Sequence, residues 1–338
     1  MRAFFLEKQG SPEKAFRLKE VAEPNPGPGE CLIRVEAFGL NYADVMARKG
    51  AYRDAPPLPC VLGYDVVGRV VQAPEGASVK TGERVVALTR FGGYAEWAVA
   101  RAEAVFKIGE EVPAPEATAL ATQGATAWHC ALGTGSLYSG DWAIVSAAAG
   151  GVGSLLVQIC KVHGLQVAGL AGPSKKSIVV KLGADIFLDR TQGSLFQLWK
   201  KYGAGIRPDV IFDTVGGSQA RQALHLLNKG GRVVLYGAAG SKGSRNPLSL
   251  LSFAWGFGVY SPIPFILRSQ SLVGVNMLRL ADYKPRHLQK ALEGALDLYQ
   301  NGLLKPLPGH VFPHTELSKA HALLESGLSA GKIAVVWT

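Results

Sequence analysis

Two patterns of apolar positions divide the chain near residue 121. Before it, short β-branched or alternating runs at 31–37, 66–71 and 84–88 predict strands, and the Gly/Pro-rich stretches between them predict tight turns. After it, apolar strands are predicted at 143–146, 167–170, 210–212, 233–236 and 272–275, and helices at 155–163, 175–182, 195–201 and 219–227. This alternation is typical of a parallel, doubly wound sheet. An amphipathic helix at 286–300 and a short strand at 332–337 follow, and we interpret that strand as returning to the first domain.

The junction after the strand predicted at 143–146 carries the most specific motif. The chain reads WAIVSAAAGGVG from Trp142 to Gly153, which matches G-x-G-x-x-G with Ala148 in the first place. Gly150 would let backbone amides approach a pyrophosphate, and Gly153 would let the helix pack closely on the strand. A glycine turn without a ligand is the alternative, but a strand before it and a helix after it favour a dinucleotide site. The residues predicted to contact the cofactor here are Ala148, Gly150, Gly151, Val152 and Gly153.

Composition and charge restrict the class of protein. The chain has 338 residues, 48% of them hydrophobic and 18% charged, which predicts a folded globular protein of two domains. Its net charge of +10 raises the possibility of nucleic-acid binding, but the Lys and Arg residues are scattered and form no stripe with aromatic residues. The interpretation is therefore a basic surface that binds no nucleic acid.

The cysteines and the N-terminus bear on localisation. Cys31, Cys60, Cys130 and Cys160 lie far apart and form no C-x-x-C pair, which indicates neither a zinc knuckle nor a disulfide framework. The first residues contain no apolar core typical of a signal peptide. We expect a cytoplasmic protein.

Six motifs along nearly the whole chain carry a family resemblance. They are GLNYADVMARKGAY at 39–52, LPCVLGYDVVG at 58–68, QGATAW at 123–128, SAAAGGVG at 146–153, DTVGG at 213–217 and GKIAV at 331–335. In these motifs the chain resembles medium-chain dehydrogenases/reductases of the quinone oxidoreductase type, in the subgroup around the vesicle amine transport protein. The resemblance implies an α/β protein in which a Rossmann domain at 122–282 is inserted into a β-rich, GroES-like catalytic domain formed by 1–121 and 283–338. It also implies a cleft between the domains and a homodimer.

The resemblance also predicts that no metal is bound. Zinc-dependent members of the superfamily carry a cysteine where this chain has Asn41, a Gly-His-Glu segment where it has Gly63-Tyr64-Asp65, and a four-cysteine loop that it lacks. A zinc site needs three or four converging N, S or O ligands. No catalytic zinc is expected.

Without a metal, hydride transfer from a nicotinamide depends on positioning and hydrogen bonding. Asn41 and Tyr52 match polar positions of quinone oxidoreductases and are the predicted catalytic residues. Asn41 would orient the nicotinamide or the substrate carbonyl, and Tyr52 would donate to the developing oxyanion. The alternatives are that Asn41 caps the next helix and that Tyr52 packs in a turn. Many relatives carry a second tyrosine where this chain has Met46, and Asp44 is expected to be structural.

The cofactor is predicted to be NADPH. NAD-specific sites place an acidic residue after the second strand, but the segment 167–176 has none and instead carries Ser174 and Lys175. Arg190 matches an adenine-side position in relatives. Two lysines at a solvated helix start are the alternative explanation. Further candidate cofactor contacts, from the resemblance or from the ends of predicted strands, are Thr126, Val215, Tyr236, Gly237, Asn276 and Lys332, the last of which is equally compatible with a structural role.

These observations predict an NADPH-dependent, zinc-independent reductase of quinones or α,β-unsaturated carbonyls. The alternative is a cofactor-binding, membrane-associated or non-catalytic protein of the same fold. The uncharged segment 246–267 is long enough to span a bilayer, but Pro262 and Pro264 disfavour a spanning helix. It is interpreted as an apolar lid over the substrate or, alternatively, as a surface for dimer or membrane contact.

Overall fold

The computed structural model describes residues 1–241, 243–244 and 246–337 and divides the chain into two compact units. The first unit contains Met1–Ala125, Leu280–Glu293 and the chain from Pro306 onwards; the second contains Thr126–Arg279 and Gly294–Lys305. The segment 294–305, assigned from the sequence to the catalytic domain, thus groups with the second unit. The reason is local packing: Gly294 lies so close to Trp128 that a Cβ would come within 2.1 Å of the indole nitrogen.

The first unit is β-rich. Its N-terminal part contains strands β1 (Arg2–Leu6), β2 (Phe16–Glu20), β3 (Glu30–Leu40), β4 (Cys60–Val61), β5 (Asp65–Gln72), β6 (Arg84–Leu88), β7 (Trp97–Arg101) and β8 (Val105–Lys107), and helices α1 (Pro12–Ala15), α2 (Tyr42–Arg48) and α3 (Ala114–Thr118). At the junction to the second unit, helix α4 (Ala125–Trp128) lies between two π-helical turns, Ala119–Gly124 and His129–Gly133.

The second unit contains six parallel strands: β9 (Trp142–Ser146), β10 (Gln166–Ala171), β11 (Ile186–Asp189), β12 (Val210–Asp213), β13 (Arg232–Leu235) and β14 (Ser271–Gly274). Its helices before residue 270 are α5 (Gly151–Val162), α6 (Lys176–Lys181), α7 (Leu195–Tyr202), α8 (Ser218–Leu226), α9 (Pro247–Phe257) and α10 (Pro262–Arg268). The strand order is β11-β10-β9-β12-β13-β14, the doubly wound order of dinucleotide-binding domains. Ile144, Leu170, Leu198, Trp199 and Ile211 belong to one core cluster of this unit.

The C-terminal part contains α11 (Met277–Tyr283), α12 (Pro285–Gln300), β15 (His310–Pro313), α13 (Leu317–Ser326) and β16 (Ile333–Val336). As predicted, the closing strand β16 returns to the first unit, where it pairs antiparallel with β3. The larger sheet of that unit has the order β15-β16-β3-β5-β6-β8, with β7 also pairing with β3, and a smaller sheet has the order β2-β1-β4. The predicted fold class, a parallel Rossmann sheet combined with a β-rich GroES-like domain, is confirmed.

The uncharged segment 246–267 folds as two helices. By length and composition alone 247–268 passes as a membrane span, with a mean hydropathy of 1.5, but the backbone turns at Gly258, where φ is +85°. Ser261 then caps α10, and Pro262 is its first residue. The helices contain 11 and 7 residues, whereas a spanning helix needs about 20. Neither helix is long enough to cross a bilayer.

Candidate active site

The glycine turn after β9 has the geometry of a phosphate cradle. Gly150 is the N-cap of α5, and its amide donates to the Ala147 carbonyl at 2.7 Å. A Cβ at Gly153 would lie 2.2 Å from the Ala147 oxygen, so only glycine allows the first turn of α5 to pack on this loop. Gly151 and Val152 are the first helical residues, and amides in this turn have no partner inside the helix. The helix begins at Gly151, four residues before the predicted start, because the glycines themselves form its first turn. This turn fits a pyrophosphate.

Two cations lie together beyond the end of β10. Ser174 is exposed in the short turn Pro173–Lys175, and Lys175 is half-buried. Burial, and after it the positive charge of Arg190, lower the pKa of Lys175. A Cβ at Gly172 would lie 3.7 Å from Arg190 Nε, so the Arg190 side chain lies beside the residue that precedes this turn. Arg190 follows β11, and its backbone amide donates to the Ala171 carbonyl at 3.0 Å. Arg190 thus lies beside the turn that carries Ser174 and Lys175, and the selection of the cofactor by these three residues stays a prediction.

The remaining predicted cofactor contacts of this unit follow the carboxyl ends of β12, β13 and β14, the edge where open α/β sheets bind ligands. Buried Asp213 accepts hydrogen bonds from the amides of Val215 (2.8 Å) and Gly216 (3.1 Å), which shapes the turn that carries Val215. The Tyr236 hydroxyl donates to the Ser146 carbonyl at 3.3 Å, and a Cβ at Gly237 would lie 2.4 Å from the Thr214 hydroxyl.

Two of the predicted contacts occupy special positions in helices. Asn276 precedes α11 and accepts hydrogen bonds from the amides of Leu278 and Arg279, so its side-chain oxygen holds a helix start. Thr126 is buried in α4, between the two π-helical turns. Such π-helical turns are frequent at functional sites.

The first unit contains a buried polar network around Asn41. The Lys332 ammonium donates to Asn41 Oδ1 at 2.9 Å and to Asp65 Oδ2 at 2.6 Å, and Asn41 Nδ2 donates to the same Asp65 oxygen at 3.0 Å. Lys332 and Asp65 are fully buried, and Asn41 is 7% exposed. Burial lowers the pKa of Lys332, and the charge of Asp65 opposes that shift. The Lys332 ammonium group holds the Asn41 amide, which agrees with the structural role given as the alternative to cofactor contact for this residue.

Gly39 makes room for this network. A Cβ at Gly39 would lie 2.2 Å from both an Asp65 carboxylate oxygen and the Lys332 Cε atom. The glycine of β3 therefore lets a lysine from the C-terminal end of the chain enter the interior next to β5. A buried ion pair of this kind needs close hydrogen-bonded geometry to offset desolvation.

Asp44 caps helix α2, whose N-cap residue is Asn41. Its carboxylate accepts from the Asn41 backbone amide at 2.8 Å, the structural role predicted from the sequence. Burial raises the pKa of Asp44 to about 7, against the opposing effect of that hydrogen bond. Tyr94 lies beside it and shares a hydrogen bond of 3.2 Å with His321 Nε2, and burial lowers the pKa of His321 to about 3. The imidazole is therefore neutral at pH 7.

Tyr52 lies beside a second tyrosine that the sequence analysis used only to argue against zinc. The rings of Tyr52 and Tyr64 meet edge to face at 6.3 Å, and the Tyr64 ring also contacts Phe91 at 5.0 Å. The Tyr64 hydroxyl is buried without a hydrogen-bond partner among the described residues. Burial, together with Asp44 and Tyr52, raises the pKa of Tyr64, so it stays a neutral phenol. Met46, where many relatives carry a tyrosine, is buried on α2.

Sequence reasoning missed Asp65 as a member of the Asn41 network and Tyr64 as the neighbour of Tyr52. Both stand in the motif GYDVVG, which was used only to exclude a histidine ligand. An acidic residue at the start of an apolar strand is a signal for a buried partner, because a carboxylate inside a protein requires one. That the partner is Lys332, 267 positions away, follows only from the fold.

The donor set does not suit a metal ion. Across the described residues, no group of three or more His, Cys, Asp or Glu side chains could hold a metal. The four cysteines are separate, buried and unpaired by disulfides.

The chain matches two family profiles and full-length relatives. The "Alcohol dehydrogenase GroES-like domain" profile matches residues 27–110, and the "Zinc-binding dehydrogenase" profile matches 151–293. The human synaptic vesicle membrane protein VAT-1 homolog is 31% identical over 94% of this chain and 81% of its own length. The pig quinone oxidoreductase is 30% identical over 99% of this chain and 98% of its own.

A solved structure extends the comparison to a bound cofactor. The quinone oxidoreductase of Thermus thermophilus, which has also been solved in complex with NADPH, is 29% identical. Its TM-score is 0.80, and the match covers 99% of this chain and all of the other. The glycine cradle, the strand order and these relatives agree, and the chain belongs to the quinone oxidoreductase-like medium-chain dehydrogenases/reductases, together with the VAT-1 homologues.

Proposed function

We propose that this protein is an NADPH-dependent, zinc-independent reductase that transfers a hydride to quinones or α,β-unsaturated carbonyls. Membership of an oxidoreductase family with NADPH-bound relatives supports a nicotinamide cofactor. The observation that carries the finer proposal is the orientation of Asn41, since a fully buried Lys332–Asp65 pair holds its amide in one direction.

The choice of NADPH over NADH rests on charge. A 2′-phosphate would meet Lys175 and Arg190, which lies beside the same turn, and the exposed Ser174 can add a hydroxyl. Charge-assisted hydrogen bonds to phosphate are about twice as strong as neutral ones. The segment 167–176 offers no carboxylate for the free ribose hydroxyl of NADH.

When bound, NADPH supplies the hydride. As hydride reaches a quinone or the β-carbon of an enone, negative charge develops on the carbonyl oxygen, and donors aimed at that oxygen lower the barrier. Asp65 accepts a hydrogen bond from one N–H group of the Asn41 amide, and the amide has a second N–H group that can donate to an acceptor. Tyr52 supplies a hydroxyl, and Tyr64 beside it is a neutral phenol.

Zinc independence is supported by the chemistry at the ligand positions. The Asn41 amide is hydrogen-bonded to the Lys332 ammonium group and to the Asp65 carboxylate. Tyr64 is a neutral phenol. We expect purified protein to contain no stoichiometric zinc and to keep its activity in a strong chelator. About one zinc per chain by elemental analysis, lost together with activity, would show a metal-dependent mechanism instead.

We also propose that the chain forms a homodimer and is located in the cytoplasm. Strand β14 is the edge of the parallel sheet, and an edge strand presents unpaired backbone groups. Four buried thiols are compatible with a reducing compartment. Sedimentation equilibrium of the purified chain tests the assembly state.

The test of function is NADPH oxidation with a panel of quinones and enones of increasing size and apolarity. We expect turnover with NADPH that Asn41→Ala lowers more strongly than it weakens NADPH binding, because the amide acts on the acceptor. Thr118→Ala, a change at a buried polar residue of the first unit whose hydroxyl donates only within its own helix region, is the matched control. NADPH binding without turnover on any acceptor would make the chain a non-catalytic member of the fold.

A further inference from the structure

The hydroxyl of Tyr64 is buried and has no hydrogen-bond partner within the described part of the chain. The residue as a whole is 7% exposed. A hydroxyl that is buried without a partner loses its bonds to water and gains none in return, so such groups are few in folded proteins. The fold itself therefore gives no reason for a tyrosine in place of a phenylalanine at this position. A partner from outside the chain would give one.

The backbone at Tyr64 is fixed by the loop that follows β6. The Thr89 amide donates to the Tyr64 carbonyl at 2.8 Å, and the Thr89 hydroxyl donates to the Gly63 carbonyl at 2.9 Å. The Tyr94 amide donates to the Leu62 carbonyl at 2.9 Å. Because these bonds tie the two segments together through other atoms, the position of Tyr64 does not depend on its own hydroxyl.

The ring of Tyr64 is held by a phenylalanine in a strained backbone conformation. Phe91 has a φ of +71°, in the left-handed region that bulky side chains rarely adopt. It is 8% exposed, and its ring centroid lies 5.0 Å from that of Tyr64. Backbone strain of this kind persists where the surrounding structure imposes it, and it clusters at functional sites. The strained residue thus makes a contact that orients the Tyr64 ring.

A second phenol lies beside Tyr64 on the other side of this contact. The rings of Tyr52 and Tyr64 meet edge to face, and Tyr52 is only partly buried. The pair therefore combines one phenol that solvent can reach with one that is enclosed. Burial, and after it the charge of Asp44, raise the pKa of Tyr64. At neutral pH the Tyr64 hydroxyl keeps its proton and can donate one hydrogen bond.

We propose that Tyr64 is a second catalytic donor, whose hydroxyl binds the carbonyl oxygen of the acceptor together with the hydroxyl of Tyr52. This inference rests on the proposed reductase function. A hydride adds with its electron pair to the β-carbon of an enone, the π electrons move to the carbonyl oxygen, and the enolate then takes one proton from water at its α-carbon. Tyr64 keeps its own proton and stabilises the charge on the enolate oxygen.

The substitution Tyr64→Phe removes the hydroxyl and keeps both ring contacts. Because the hydroxyl has no partner in the free protein, urea unfolding should show the variant to be at least as stable as the wild type. We expect its kcat/KM for enones to fall about tenfold to a hundredfold, while its affinity for NADPH stays unchanged.

Tyr94→Phe is the matched control. Tyr94 is also buried, but its hydroxyl shares a hydrogen bond of 3.2 Å with His321 Nε2. Its removal leaves the imidazole nitrogen without this partner, so the variant should be less stable than the wild type and keep its kcat/KM. The two substitutions are thus expected to have opposite effects on stability and activity.

A second measurement does not require turnover. Infrared difference spectroscopy records the carbonyl stretch of isotope-labelled benzylacetone, a saturated aryl ketone, bound to the full chain with NADP⁺. Hydrogen-bond donors polarise a carbonyl and lower its stretching frequency. We expect a lowered frequency in the wild type and a smaller shift in Tyr64→Phe, whereas Tyr94→Phe should match the wild type.

Either measurement can overturn the assignment. Equal kcat/KM in Tyr64→Phe and the wild type would do so, as would a carbonyl frequency that the substitution leaves unchanged. Lower stability of Tyr64→Phe with unchanged kinetics would assign the hydroxyl to a structural hydrogen bond with water. A wild type that reduces no acceptor, but loses the carbonyl shift in Tyr64→Phe, would contradict the reductase function and retain Tyr64 as a carbonyl-binding residue. A wild type that neither reduces an acceptor nor binds benzylacetone would contradict both proposals.

Discussion

The interior of the first unit and the outer surface of the second depart from the usual distribution of polarity in opposite ways. The first unit buries Lys332 and Asp65 completely, whereas the second exposes Trp255 and Leu267 by about three-quarters of their surface. Buried charges must be paired, and exposed apolar clusters carry an interaction. Departures from local rules are expected at functional sites. In this chain, one departure holds the Asn41 amide in place, and the other leaves apolar side chains of helices α9 and α10 in contact with solvent.

Breaking the buried pair is expected to have the largest effect on stability. Lys332→Met leaves the Asp65 carboxylate buried without its cation, which costs about 3–5 kcal/mol of unfolding free energy. Urea unfolding measures this loss. The double variant Lys332→Met/Asp65→Asn should recover part of it, because no unpaired charge remains. If the single variant is as stable as the wild type, the pair does not hold Asn41.

Removing the Tyr52 hydroxyl tests whether the polar interior serves chemistry. Tyr52→Phe should lower kcat up to about a hundredfold while NADPH affinity stays unchanged, because the donor acts mainly on the developing oxyanion. Steady-state kinetics with one quinone and one enone, together with NADPH titration, separate the two quantities. Unchanged turnover on every acceptor would assign Tyr52 to packing against Tyr64.

The neutral buried histidine predicts a pH dependence of stability. Its pKa is lowered to about 3 in the folded state, so its contribution to stability is complete above the unfolded pKa of 6.5 and is lost as the pH falls towards 3. His321→Gln removes this dependence. The gap in unfolding free energy between wild type and variant should therefore narrow by about 2 kcal/mol from pH 7 to pH 5.

Urea titrations at both pH values provide the measurement. The raised pKa of Asp44 acts in the opposite direction, stabilising the fold at low pH, but it is present in both proteins and cancels in the difference. A gap that stays constant would show that His321 is not buried in its neutral form.

The smallest change in free energy is expected from a substitution at Lys175, which follows β10 and is partly exposed to solvent. Lys175→Ala should reduce the preference for NADPH over NADH about tenfold, or about 1.4 kcal/mol. Fluorescence titration with both cofactors gives the two dissociation constants. Lys176→Ala, at the exposed neighbouring position, is the control. Equal affinities for the two cofactors in the wild type would contradict the assignment of the 2′-phosphate site.

The sequence predicted those parts of the molecule that depend on local pattern. The alternation of apolar strands and helices identified five of the six parallel strands and missed β11, an edge strand of the sheet between α6 and α7. The glycine turn was recognised because its signal lies within 12 residues. The Lys332–Asp65 contact could not be predicted, since it joins positions 267 apart through strand pairing.

Helices α9 and α10 show a second limit of prediction from the sequence. The segment has no charge, and its composition equally suits a lid, a buried helix or a surface. Only the packing of Phe253 and Phe257 on Gly216 and Gly217 determines which residues face outward. The exposure of Trp255 favours the interpretation of this segment as an interaction surface over the lid.

The most direct test of the reductase assignment is isotope transfer. NADPH that carries deuterium at the transferable C4 position would be incubated with the protein and an apolar enone, and the product analysed by mass spectrometry. The proposed chemistry predicts one deuterium at the β-carbon of the saturated product, with a lower yield in Tyr52→Phe. Binding of NADPH without deuterium in any product, across the panel of enones and with no oxidation of NADPH by quinones, would contradict it.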